Sequence, residues 1–235
     1  YGMSVIQEIS AVFRSALFTK RCAICGKTIE FDEIFCHECA SAKHIELPVC
    51  LKCGCEKADC ICKKEHHKPE YKAVVAPYYY RDSIAQGILN CKMHDLPHLT
   101  KAQGAEIAKT VNSLYELVKF DCVTYIPMRN YDEKYRGFNQ SALLAKEVSR
   151  ICRLDCAGLL VKKRKTKMQK RQGAESRYVN MYNAFDLAKN AEVAGKTILL
   201  IDDVKTTGAT LSSAALTLKA YGAKAVYCAV FAIVK

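Results

Sequence analysis

The chain has 235 residues, half of them hydrophobic and 26% charged, a composition that excludes a disordered polymer and suits one or two globular domains. Lys and Arg number 36 against 24 Asp and Glu, a strongly basic formal net charge of +12. Its longest apolar stretches, such as Ile198–Ile201 and Ala225–Val234, fall far short of the roughly 20 residues that span a bilayer. Tyr1–Lys20 carries Glu8 and Arg14 and no basic start leading into an apolar run, so a secretory leader is not expected and a cytoplasmic location is.

In chain order, Val5, Ile6, Ile9, Val12, Phe13, Ala16 and Leu17 recur at helical spacing and predict an amphipathic helix packed on the rest of the protein. Cysteines follow: nine of the chain's 14 lie between Cys22 and Cys62. Cys22-Ala-Ile-Cys25 and Cys36-His-Glu-Cys39 are two C-x2-C pairs. Each pair sits on a tight knuckle that aims two sulfurs at one ion, and two knuckles complete a tetrahedral zinc site; Gly26 supplies the turn freedom the first one needs. A second set, Cys50, Cys53, Cys60 and Cys62, repeats the first pair's spacing but closes with a C-x-C pair, and Cys55 competes as a ligand. Pairing across the sets, Cys22/Cys25 with Cys50/Cys53, satisfies the same spacing. Without a leader, thiols are expected reduced and metal-bound rather than in disulfides. Four thiolates leave no open position, so the zinc is structural, and a segment with so little core folds on it. His37, His44, His66 and His67 read as solvated loop residues, and Cys91, Cys122, Cys152, Cys156 and Cys228 as buried small apolar ones.

Charge divides the chain as the cysteines do. Residues 1–70 hold 10 basic and 10 acidic side chains; residues 71–235 hold 26 and 14, the whole surplus. A boundary near His66-His67-Lys68-Pro69 follows, giving an N-terminal helix and zinc module over 1–68 and a second domain over 69–235. In that second part, Tyr71–Tyr80 reads as a strand, Asp82–Lys92 and His98–Val118 as helices, and Asp121–Pro127 as a strand. Ser141–Cys152 is helical, Leu159–Val161 a short strand, Thr197–Asp202 a strand, Ala209–Ala220 a helix and Ala225–Val234 a final strand. Apolar strands alternating with helices predict an α/β fold, a parallel sheet covered on both faces. Ligands of such sheets bind at the carboxyl ends of the strands.

One strand end stands out. In Thr197-Ile-Leu-Leu-Ile201-Asp202-Asp203-Val-Lys-Thr206-Thr207-Gly208-Ala209-Thr210, an apolar strand runs into two carboxylates and then a hydroxyl- and glycine-rich loop that opens a helix. Backbone N–H groups at Thr206–Thr210, with the helix N-terminus, form an anion cradle. The carboxylates cannot face that anion; their partners are vicinal hydroxyls, a divalent cation, or both. Hydroxyls and phosphate at fixed separation describe a ribose 5-phosphate. The Gly-x4-Gly-Lys of a Walker loop is absent. Upstream, Arg136-Gly137-Phe138-Asn139-Gln140 precedes a helix, and Lys162–Arg171 has seven basic residues in ten. Arg129–Arg177 as a whole holds 14 basic and 5 acidic residues. Such a run is a solvated loop, a grip for pyrophosphate or a path for nucleic acid.

The strand, acid pair and threonine-glycine loop resemble the signature of type I phosphoribosyltransferases, which bind phosphoribosyl pyrophosphate (PRPP). That resemblance implies that Asp202 and Asp203 hold the ribose hydroxyls and Mg2+, and that Thr206, Thr207, Gly208, Ala209 and Thr210 hold the 5-phosphate. The cysteine knuckles, then Arg-Gly-Phe-Asn-Gln, Thr166-x2-Gln169, Arg177-x2-Asn180 and Ala184-Phe185, then Asp-Asp-Val-x-Thr-Thr-Gly-Ala-Thr, together resemble the ComF family. Its members join a zinc finger to a phosphoribosyltransferase-type domain and serve bacterial competence. Membership implies Arg136 beside the leaving pyrophosphate, Lys92 facing the ligand, and PRPP with Mg2+ as ligand or substrate. It also implies single-stranded DNA and a competence helicase, the latter met through the zinc module, as partners. Two positions depart from the family: Tyr125-Ile-Pro127 keeps only the second proline of Pro-x-Pro, and Gln172 replaces a leucine.

Overall fold

A computed structural model describes residues 20–30, 32–60, 62, 69–93, 96–128, 130–163 and 184–235, with backbone alone at 130–132. The amphipathic stretch Val5–Leu17, His66, His67, and the motif residues Thr166, Gln169, Gln172, Arg177 and Asn180 lie outside these residues.

Among its described residues the cysteine segment contains one short helix, α1 (His37–Ala40), and a 3-10 turn at Lys57–Asp59. Strands and helices then alternate: β1 (Val74–Val75), β2 (Tyr78–Tyr79), α2 (Asp82–Met93), α3 (Leu99–Leu114), β3 (Cys122–Tyr125), α4 (Asn130–Arg136) and α5 (Gln140–Cys152). They continue as β4 (Leu160–Lys162), β5 (Phe185–Leu187), β6 (Thr197–Lys205), α6 (Ala209–Ala220) and β7 (Ala225–Ile233). Among the described residues the main sheet has five strands in the order β1-β7-β6-β3, with β2 also on β7, and every pairing in it is parallel.

Alternation along β6 sorts the core. Leu199 and Ile201 join Ile107, Ala108 and Val111 of α3 and Leu144, Ala145 and Val148 of α5 on one face. Ile198 and Leu200 join Leu211, Ala214, Ala215 and Leu218 of α6 on the other. Because both faces are covered, β6 is apolar at successive positions rather than at every second one. That is the physical reason its sequence reads as an unbroken run.

Three expected elements take a different form. The strand expected over Tyr71–Tyr80 is split into β1 and β2, which ride the same neighbour in continuous register, Val74 opposite Cys228 and Tyr78 opposite Ala232. Pro77 lies in the break; it has no N–H to give the ladder, and its carbonyl instead accepts from Ile45 N at 2.8 Å. The short strand expected at Leu159–Val161 is outside the parallel sheet: β4 pairs antiparallel with β5 as a separate two-stranded piece. Only Leu160 of β4 is buried, so it lacks the two apolar faces a sandwiched strand needs. The strand expected to stop at Asp202 continues to Lys205, with Asp202 opposite Val230 and Lys205 opposite Ile233. Two of the five scattered cysteines, Cys152 and Cys156, are only partly buried, and Cys152 Sγ lies 3.3 Å from Asn112 Oδ1 as its donor. Among the described residues no helix is long and apolar enough to cross a membrane.

Candidate functional site

Eight of the nine clustered cysteines resolve into two sets of four. The Sγ atoms of Cys22, Cys25, Cys36 and Cys39 lie within 4.8 Å of one another, and so do those of Cys50, Cys53, Cys60 and Cys62. Zn–S bonds of about 2.3 Å in a tetrahedron separate the sulfurs by about 3.8 Å. Cys25 and Cys36 stand 3.6 Å apart and Cys53 and Cys60 3.7 Å, far too long for disulfides and right for thiolates around one ion. Each set closes on itself, so cross-pairing does not occur.

The two first knuckles are one design used twice. Gly26 N donates to Cys22 O at 2.9 Å and Cys22 N to Lys27 O at 2.8 Å; Gly54 N donates to Cys50 O at 2.7 Å and Cys50 N to Cys55 O at 2.8 Å. Gly26 and Gly54 both have positive φ, +78° and +81°. Cys55 therefore occupies the place of Lys27, outside the ligand set. Burial pushes the Cys22 thiol up, but N–H groups of Cys25, Cys36 and Ile24 outweigh it and bring it down to about 7. Cys50 is likewise pushed up by burial and brought down to about 7, by Cys53 N–H, the Cys60 thiol and Lys52 N–H. Backbone donors aimed at sulfur favour the thiolate a metal requires.

The knuckles dock on different parts of the sheet domain. Asn90 Nδ2 of α2 donates to Cys25 O at 2.8 Å and Gln103 Nε2 of α3 to Ile24 O at 3.0 Å. Val74 N of β1 donates to Leu51 O at 2.8 Å.

At the carboxyl end of β6, Asp202 and Asp203 are 9% and 8% exposed, so two adjacent carboxylates are withheld from water. Asp202 Oδ1 accepts from Ser141 Oγ at 2.8 Å and from Asp203 N at 3.0 Å. Asp203 Oδ1 accepts from Val204 N at 2.8 Å, while the Lys92 ammonium sits against Oδ2 as an ion pair. That oxygen accepts no aligned hydrogen bond among the described residues. Burial first, and then the Asp203 charge, push the Asp202 carboxyl up to about 7. Among the described residues one ammonium, that of Lys92, faces the two buried carboxylates. A divalent cation, or hydroxyl donors, would complete them.

The chain then turns through Thr206 and Thr207, both exposed, to Gly208, which caps α6 at φ +80°. The first N–H groups of a helix lack intrahelical acceptors; that of Ala209 is held by Thr207 Oγ1 at 3.3 Å. Lys205, buried beneath the loop, directs Nζ to Thr206 O at 3.4 Å. An anion at this turn meets backbone donors, a helix N-terminus and threonine hydroxyls together.

The expected residues are thus brought together except one. Lys92 reaches Asp203, and Asp202 to Thr210 form one strand–loop–helix unit. Arg136 ends α4, half-buried, with no side-chain hydrogen bond or ion pair among the described residues. Ser141, Tyr71 and Lys205 were not foreseen. Asn139 caps α5 by accepting from Ala142 N at 3.3 Å, and its Nδ2 donates to Ile126 O at 3.2 Å, which fixes Ser141 under Asp202. An Asn followed two residues on by Ser at a helix start is a cap signal that could have pointed there.

A parallel sheet that delivers paired carboxylates and a glycine-started helix to one edge defines a type I phosphoribosyltransferase-like α/β domain, here preceded by two four-cysteine clusters. The phosphoribosyl transferase domain family matches residues 139–234. DNA utilization protein YhgH of Escherichia coli (strain K12) is 27% identical over 215 residues, 87% of this chain and 86% of that protein. Competence protein ComFC of Bacillus subtilis (strain 168) is 28% identical over 193 residues, 78% of this chain and 77% of that one. Competence protein F of Haemophilus influenzae is 34% identical over 105 residues, 43% and 45% of the two chains. The chain is similar to these DNA-utilization and competence proteins and matches the phosphoribosyl transferase domain family over its C-terminal part.

Proposed function

We propose that this chain binds PRPP with Mg2+ at the end of β6 and that phosphoribosyl transfer with release of pyrophosphate is the chemistry the site is built for. The observation that carries this reading is the pair of buried carboxylates, faced among the described residues by the Lys92 ammonium, one short loop before a glycine-capped helix. Asp202 and Asp203 would hold the ribose hydroxyls and the cation, and Thr206–Thr210 the 5-phosphate. Mg2+ held there supplies charge neutralisation for departing pyrophosphate. Arg136, uncommitted to any acid among the described residues, would add to it. In transfer, the bond from ribose C1 to the pyrophosphate oxygen breaks as the acceptor's nucleophile bonds to C1, and preorganised charge does the work without a covalent enzyme intermediate. Calorimetric titration with Mg2+-PRPP tests binding: saturable affinity is expected in the natural chain and none in Asp202→Ala/Asp203→Ala. Equal affinity in the two would refute the assignment.

A second reading is handling of single-stranded DNA, favoured by the basic surplus of Arg129–Arg177 and by relatives named for DNA utilization and competence. In it the ribose-phosphate pocket senses a ligand or grasps a DNA end, and the cysteine module meets a protein partner such as a helicase. Pyrophosphate release across a panel of bases and amines separates the two. Turnover supports transfer, while tight PRPP binding without turnover supports the adaptor.

A further inference from the structure

The phosphate loop and the second cysteine cluster meet at one side chain. Tyr71 is buried, and its hydroxyl donates to the carbonyl of Lys52, inside the Cys50–Cys53 knuckle, at 3.1 Å. The same oxygen is 3.0 Å from the point where a Cβ would stand on Gly208. Its neighbour Glu70 donates from N to Ser212 Oγ, in the first turns of α6, at 2.9 Å. On the knuckle side the fit is equally close: a Cβ on Gly54 would stand 2.4 Å from Ile233 Cδ1 and 3.1 Å from Val74 O. The chain at 70–71 is therefore clamped between a knuckle carbonyl, the loop glycine and the helix that the loop opens.

The two clusters differ in how they are enclosed. Cys22, Cys25, Cys36 and Cys39 are buried, whereas Cys50, Cys53, Cys60 and Cys62 are all half-buried. In this turn the Lys52 carbonyl faces Tyr71, and an ion on both thiolates would add to the backbone hydrogen bonds that hold it. Loss of the ion from the more open cluster would release that carbonyl, then the tyrosine, then the floor of the loop.

We propose that the Cys50/Cys53/Cys60/Cys62 cluster controls the phosphate loop by its metal occupancy, with Tyr71 as the positioning residue that couples the two. This rests on reading the loop as the phosphate site of PRPP. Coupling between sites is reciprocal, so the metal raises affinity for the ligand and the ligand retards metal loss by the same thermodynamic factor.

A double-mutant cycle on the full chain tests it, with zinc counted per chain and Mg2+-PRPP affinity measured by calorimetry. Cys62→Ser is expected to lose one zinc and about tenfold in affinity. Tyr71→Phe is expected to keep its zinc and lose a comparable factor. Together they are expected to cost little more than either alone; a product of the two factors overturns the coupling. Should Cys62→Ser not fold, the natural chain serves instead. PRPP should slow zinc transfer to a chelator from this cluster roughly tenfold, and should not do so in Tyr71→Phe; equal slowing in both overturns the proposal. Amide hydrogen exchange at residues 206–210 gives a readout free of ligand. Removal of the more accessible zinc should speed it, and unchanged exchange overturns the proposal. Faster exchange in a chain with no PRPP affinity would keep the coupling and discard the phosphoribosyl reading.

Discussion

Gly208 does two things that no other residue can do together. Its φ of +80° suits glycine, and the space beside its Cα is filled by the Tyr71 hydroxyl and the Lys205 side chain. Gly208→Ala should therefore lower affinity for Mg2+-PRPP by tenfold or more, with a stability cost of about 1 kcal/mol from the left-handed backbone; calorimetry and urea denaturation measure the two effects separately. Ser141 acts on the other half of the site. Its hydroxyl is, among the described residues, one of two donors to Asp202 Oδ1, the other being Asp203 N. Ser141→Ala removes a hydrogen bond to a buried acid and should cost about 2 kcal/mol of stability, read from the urea midpoint at unchanged slope. The acid pair was legible because its neighbours in sequence are its neighbours in space. Ser141 and Tyr71 were not, because their contacts to Asp202 and Lys52 join segments far apart in the chain, and a serine or tyrosine has many other ordinary places to be.

Among elements, β6 shows how far periodicity carries. A run of four apolar residues ending in acids is enough to place a buried parallel strand, and β6 is one. It is not enough to end the strand: the ladder to β7 carries past both aspartates to Lys205, because pairing depends on backbone groups and not on side-chain polarity. Pro77 was visible in sequence, and its missing N–H is the physical reason for the break between β1 and β2. α2 carries the opposite lesson. Gly87 sits mid-helix, where glycine costs about 1 kcal/mol relative to alanine. A Cβ there would stand 2.4 Å from Ile24 O and 3.1 Å from Cys25 Cα, both backbone atoms of the first knuckle. The clash outweighs the propensity: Gly87→Ala should lower stability by about 1–3 kcal/mol and loosen the Cys22/Cys25 knuckle. Thermal unfolding at constant zinc content checks this, and a higher Tm would show that the knuckle does not dock as described. Nothing in the sequence marks Gly87 as a contact, since the knuckle it meets comes from a different segment.

At the scale of the whole molecule, the cysteine segment is built into the core that the sheet domain uses. Cys22, Cys25, Cys36 and Cys39 share a hydrophobic cluster with Ile107, Leu144 and Phe231, and Cys55 shares the other with Leu200 and Leu211. The spacing of cysteines pointed to metal-binding sets but left their pairing and the place of Cys55 open; the structure groups eight of them into two sets of four, and the repeat of the Cys-x2-Cys-Gly knuckle shows why Cys55 is left out. Metal analysis should give two zinc ions per chain. A chelator should remove the one at the half-buried cluster first and the other only on unfolding; loss of both together would contradict the difference in enclosure. The surplus charge lies in residues 71–235, and if it meets nucleic acid, affinity for single-stranded DNA should fall steeply with salt and weaken on neutralising Lys162 and Lys163.

The central claim is that the end of β6 and the turn into α6 hold a ribose 5-phosphate group. A crystal structure with Mg2+ and PRPP tests it most directly. The account predicts the 5-phosphate within hydrogen-bonding reach of the backbone N–H groups of the 206–210 turn, with the ribose hydroxyls or the cation on Asp202 and Asp203. Ordered ligand bound elsewhere, with that turn and those carboxylates untouched, would contradict it.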